Sequence, residues 1–132
     1  MFLDRLDPHE QSAFLGLAAH LVHSDGVLAD GERTLLAAIR ASVGPGVTPQ
    51  SGSVQTLAEA FRSHGSQRAV LLELMGLGYV DGDFDWREQA VVRDVADAMG
   101  VSPDELRLLE NWTLRQVALL QEAEALMTGG AA

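Results

Sequence analysis

The chain has 132 residues, with Lys plus Arg numbering 9, all of them arginine, against 19 Asp plus Glu, for a net charge of −10. A surface this acidic repels phosphate backbones and anionic bilayers, which argues against nucleic-acid and membrane binding and leaves divalent cations or basic proteins as partners. The absence of cysteine excludes disulfides, thiolate metal sites and cysteine nucleophiles, and it fits a cytoplasmic location.

At 47% apolar residues the chain can bury a core. Its length corresponds to one domain, expected over residues 1–128 with 129–132 as a frayed tail. No run approaches the ~18 consecutive apolar residues of a membrane span. The opening "MFLDRLDPHE" lacks the basic and apolar regions of a signal peptide.

In chain order, Asp7-Pro8-His9-Glu10 predicts a helix start, with Asp7 as N-cap and Glu10 reaching back in a capping box. Phe14, Leu15, Ala18, Leu21 and Val22 then follow one helical face, and Gly26 suits the turn that ends it. A second helix is expected from about Asp30 to Val43, with Leu35, Leu36 and Ile39 inward. "GPGVTPQSGS", residues 44–53, reads as a loop. Ser53 caps a short helix to about Ser63. Ser66 is expected to open another, with Val70, Leu71, Leu74 and Leu77 inward.

Asp85 is the predicted N-cap of a helix that carries Val91, Val92, Val95 and Met99 inward and stops at Gly100. Ser102-Pro103-Asp104-Glu105 predicts a capping box that opens a long last helix to about Met127. No useful length alternates with period two, so no sheet is expected. The fold class is all-α, a compact bundle of about six to seven helices.

Two acidic stretches, "HSDGVLADGE" and "YVDGDFDWRE", coincide when the chain slides by 56 positions, from 25 to 81. Asp25-Gly26 falls on Asp81-Gly82, Glu32 on Glu88, and Leu35, Leu36 and Ile39 on Val91, Val92 and Val95. The chain therefore reads as two pseudo-repeated helix-turn-helix units packed as a bundle. Asp25 and Asp81 stand at helix C-termini, where the macrodipole disfavours an anion by a few tenths to ~1 kcal/mol.

Two compensations are open. The carboxylates can be helix caps that accept backbone N–H groups, as the capping-box spacing of Asp85 and Glu88 indicates. Alternatively, Asp25, Glu32, Asp81 and Glu88 can converge as oxygen ligands for Ca²⁺, Mg²⁺ or Mn²⁺. The second stretch is no EF-hand. Asp81, Asp83 and Asp85 mimic ligand positions 1, 3 and 5, but Trp86 stands at the required Gly and Val92 at the required Glu.

On "SDGVLADGERTLL" and "VDGDFDWREQAVVRDVADAMGVS", with the phrase "AVLLELMGLGYVDG", the chain resembles the TerB-like family, named for a tellurite-resistance protein. The resemblance covers roughly residues 1–128. It implies a compact all-helical bundle and a non-enzymatic role in stress response. It also implies metal binding or partner docking at the acidic turns, here Asp25, Glu32, Asp81 and Glu88. Gly31 departs from the polar or acidic residue more usual before the first Glu.

His20 and His23 share a helical face, yet no zinc motif completes them, and structural or surface roles are expected. No serine sits in a nucleophile elbow and no phosphate loop is present. With two Trp, one Tyr and four Phe the chain is poor in the aromatics that flank glycosidase clefts, so no enzyme is expected. Trp86 is expected to pack over the inter-helix turn. Two functions follow: a divalent-cation-binding stress protein, or an interaction module for an unidentified protein partner. A homodimer can form through the last helix, although its seam of Leu106, Leu109, Val117 and Leu120 serves internal packing equally well.

Overall fold

A computed structural model describes residues 2–23, 37, 39–41, 43–80 and 84–129. A 3₁₀ turn at Leu3–Arg5 precedes α1 (Pro8–Val22), α2 (Val54–Ala58), α3 (His64–Val80), α4 (Trp86–Met99) and α5 (Pro103–Thr128). Among the described residues there is no strand, so the all-α expectation holds. The expected second helix lies largely outside the described residues, but 37 and 39–41 within it are helical.

The caps form as their residue types dictate. Asp7 and Glu10 close a reciprocal capping box on α1, and Gly100 ends α4. At α5, Ser102 Oγ accepts the Glu105 N–H at 3.2 Å. The Glu105 carboxylate instead binds Arg68 on α3, whose Nε donates to it at 3.0 Å. The expected Ser102–Glu105 box is therefore half made, because an opposite charge across the helix pair competes for the acid.

Two boundaries differ from expectation. α2 stops at Ala58 rather than near Ser63. α3 starts at His64 rather than Ser66, because Ser63 is its cap. Ser63 Oγ accepts the Ser66 N–H at 3.0 Å, and Ser66 Oγ accepts the Ser63 N–H at 3.3 Å. This pair of hydroxyls does for α3 what Asp7 and Glu10 do for α1. The shift of 56 positions carries Asp7 onto Ser63 and Glu10 onto Ser66, so the repeat extends to the helix starts.

The core lies where α1 and α3 pack on each other, closed by α2 and α4. Ala13, Phe14 and Leu15 of α1 are buried, as are their repeat equivalents Ala69, Val70 and Leu71 of α3. Leu17, Leu21, Leu57, Leu74, Met75 and Val95 are among its largest fully buried side chains. At ~1.5–3 kcal/mol per large apolar side chain, this burial is what holds the short helices together. The long α5 packs along α3, and the 3₁₀ turn also rests on α3.

Residues 47–52 are held against α1 by atoms one helical turn apart. Ser12 Oγ donates to the Thr48 carbonyl at 2.6 Å, and the Gln50 N–H donates to the Ser12 carbonyl at 3.0 Å. His20 Nε2 meets the Gly52 carbonyl at 2.8 Å. Between them Gly16 leaves room, since a Cβ there would stand 2.3 Å from Gln50 O. The buried Gln11 adds a further tie, donating to Leu3 O at 2.9 Å and accepting from Gly44 N at 3.1 Å. The Gly/Pro-rich loop is thus strapped to the bundle over its second half.

Candidate functional site

The acidic element of the second hairpin is fixed first by an aromatic anchor. Phe84 is buried, its ring set edge-on to Tyr79 with centroids 4.7 Å apart. It lies against Gly78, where a Cβ would come within 2.4 Å of the ring. The Phe84 carbonyl also accepts the Gln89 side-chain amide at 2.9 Å, locking the entry into α4.

Asp85 follows at once. Its Oδ1 accepts the Arg87 and Glu88 N–H groups at 3.0 Å each, and Glu88 Oε1 accepts the Asp85 N–H at 3.3 Å. Glu88 therefore takes part in a reciprocal cap, where the helix dipole also favours its charge. The other three candidate ligands, Asp25, Glu32 and Asp81, lie outside the described residues, and so does their convergence with Glu88. Among the described residues no group of three or more His, Asp or Glu gathers where it could hold a metal ion.

Trp86 departs from expectation. Its side chain stands 68% exposed, with the Arg87 guanidinium 5.1 Å from the ring centroid, instead of packing over the turn. His9, His23 and His64 are exposed, while His20 serves the strap described above.

The last helix also departs from its expected seam. Leu106 and Leu109 pack on the core, and the Trp112 ring lies 5.8 Å from that of Phe2. Phe2 is held in turn by its N–H bond to the Glu73 carboxylate. Beyond Thr113, the last buried residue, α5 turns outward-facing. Leu119 is 60% exposed, Leu120 56%, Leu126 70% and Met127 79%. Leu120 therefore does not serve internal packing.

Two cavities border this helix. One of about 440 Å³ opens between α4 and α5, with Met75, Phe84, Val92 and Leu106 inside and Arg93 and Arg107 among its charged residues. The other, about 390 Å³, is lined by Tyr79, Val117, Leu120, Gln121 and Glu124. Burial, and secondarily the nearby Glu110 charge, push the Tyr79 hydroxyl above its ordinary pKa of 10. Among the described residues no helix is long and apolar enough to cross a membrane.

Gln11, Gln67, Gly16 and Gly78 escaped the sequence reading. The repeat carried a signal for the glutamines, because the same shift lays Gln11 on Gln67. Each donates its amide to a carbonyl of the segment before its own helix, Gln67 to Phe61 O at 3.1 Å.

The family model described as "Tellurite resistance protein TerB" matches residues 47–111. The matched segment contains α2, α3 and α4, the start of α5, and the acids Asp81, Asp85 and Glu88; Asp25 and Glu32 lie outside it. No curated protein and no solved structure matches the chain. Together with the all-helical fold, this match across the second hairpin supports a TerB-like family assignment for the chain.

Proposed function

We propose that this chain is a non-enzymatic docking module that binds a protein partner in a stress-response assembly, with the acids at the start of α4 serving as helix caps. The observation that carries this reading is the outward apolar face of α5, where Leu119, Leu120, Leu126 and Met127 stand exposed in one stretch. Exposed apolar side chains scattered singly are ordinary, whereas a run at helical spacing marks an interaction surface. Leu108 and Trp86 add further exposed apolar surface. The reciprocal bonds of Asp85 and Glu88 support the cap assignment.

A photo-crosslinking amino acid placed in turn at Leu108, Leu120 and Trp86, in the cells that make the protein, tests the reading. A discrete adduct at one of the three positions is expected. No adduct above that formed from position Arg62 would end it.

A second reading is favoured by the repeat, which sets Asp25 and Glu32 at positions equivalent to Asp81 and Glu88. In it, Ca²⁺, Mg²⁺ or Mn²⁺ links the two acidic turns and fixes the angle between the hairpins. Ligand binding to the native state alone raises stability by RT ln(1 + [L]/Kd). Millimolar cation would then raise the melting temperature, and Asp81→Asn with Glu88→Gln would remove the rise. A melting temperature unmoved by all three ions rules this reading out.

A further inference from the structure

We infer that the exposed face of α5 receives a cationic amphipathic helix of a partner protein, which lays its leucines on Leu119, Leu120, Leu126 and Met127 and its basic residues against Glu122 and Glu124. This rests on the docking reading and names the chemistry of the partner.

The face has the right period. Positions 119, 120, 123, 126 and 127 recur at the i, i+4, i+7 and i+8 spacings of one helical stripe. From 119 to 127 the stripe runs about 12 Å at 1.5 Å per residue, so two to three turns of a partner helix cover it. The cavity lined by Tyr79, Val117 and Leu120 flanks the stripe and offers a pocket for one apolar anchor.

Charge decides what kind of helix fits. After Arg115 the charged residues of α5 are Glu122 and Glu124, and its last turn holds no basic residue. The C-terminal macrodipole adds negative potential at the same end. The whole chain carries −10 and has no lysine to offset it locally. A second copy would bring the same two acids and the same dipole to the contact, and an anionic bilayer would be repelled outright. A basic helix relieves both the exposed apolar area and the unbalanced charge.

The test uses the full chain and a labelled synthetic peptide of about 14 residues in which leucine and lysine alternate at helical period. One control peptide has the same composition scrambled to destroy the apolar face, and another has glutamate for lysine. Fluorescence anisotropy should show saturable one-to-one binding of the first peptide. Affinity should fall roughly tenfold or more in Leu119→Gln/Leu120→Gln/Leu126→Gln, a loss of ~1.4 kcal/mol or more. Because these side chains are exposed, circular dichroism melting of the triple variant should match the parent.

Glu122→Gln/Glu124→Gln, which leaves the apolar face whole, should weaken binding and flatten its salt dependence. Equal binding by the triple variant, or by the scrambled peptide, would show nonspecific charge attraction and overturn the inference. So would sedimentation in which the parent chain dimerises and the triple variant does not, since a second copy would then cover the face. A crosslinked adduct at position 120 with no peptide binding would sink this inference and leave the docking reading standing.

Discussion

Gly78 and Phe84 are in mutual contact that no larger residue at 78 allows: a Cβ there would lie 2.4 Å from Phe84 Cδ1 and 2.8 Å from Cε1. The ring is buried and set edge-on against Tyr79, so making room for a methyl disturbs that packing. In an open helix Gly→Ala stabilises by roughly 0.5–1 kcal/mol. At Gly78 the overpacking outweighs that gain, and Gly78→Ala should destabilise by about 1–3 kcal/mol. Gly76, two residues earlier, has nothing within 4 Å of its Cβ position, so Gly76→Ala should raise stability. Urea melts of the two variants should move in opposite directions.

The strap across α1 gives a second case. Gly16→Ala drives a methyl against the Gln50 backbone carbonyl, which has no rotamer by which to escape. Either the strap lifts, losing the Ser12 and His20 contacts, or α1 shifts in the core. A cost of about 1–3 kcal/mol is expected, with faster amide exchange at Gln50, whose N–H donates to Ser12 O. Unchanged exchange at Gln50 would show that the strap is held without Gly16.

Much of this fold was legible in the residues. Asp7, Ser53, Asp85 and Ser102 each announce a helix because a short side-chain oxygen meets orphan N–H groups, and that chemistry is local. The inward faces of α1 and α3 followed from period alone. Ser63 was missed as the α3 cap because Ser66 is as good a cap by type, and only the hydroxyl pair in space separates them. Gly16 and Gly78 escaped notice because their use depends on Gln50 and Phe84, partners set by tertiary packing. Trp86 and Leu120 look apolar enough for the core, yet both stand largely exposed, a placement that residue type and period do not decide. Of the candidate ligands, Glu88 doubles as a cap residue, a role its spacing from Asp85 already carried.

Tyr79 is the single tyrosine of the chain, which makes its ionisation directly readable. Burial first, then Glu110, raise its pKa above 10 in the folded state. Above pH 10 the unfolded tyrosine gives up its proton while the folded one keeps it, so the unfolded state binds fewer protons. Stability is then fully present below pH 10 and falls as pH rises from 10 through the folded pKa. The tyrosinate absorbance midpoint of the native protein should lie above that of the urea-unfolded chain. Glu110→Gln should bring it part of the way back, and Tyr79→Phe should flatten the alkaline loss of stability. A native midpoint at or below the unfolded one would contradict the burial of this ring.

Asp85 and Glu88 separate the structural role of the acids from an ionic one. Asp85 Oδ1 serves two N–H groups at the start of α4, and an alanine there leaves both to water. Asp85→Ala should cost about 0.5–2 kcal/mol, at roughly 3–5 °C in melting temperature per kcal/mol for a chain of this size. Glu88→Gln keeps an amide oxygen that can accept the Asp85 N–H, so the cap survives while the favourable charge near the helix N-terminus is lost, a contribution of a few tenths to about 1 kcal/mol. If the acids only cap, adding Mg²⁺, Ca²⁺ or Mn²⁺ should leave the difference between parent and Glu88→Gln unchanged. If they also ligate, cation should stabilise the parent more than the variant, and the gap should widen with concentration as RT ln(1 + [L]/Kd). Melting both proteins across a cation series therefore reads the two roles of one carboxylate separately, because the cap needs an acceptor oxygen and the cation needs a negative one.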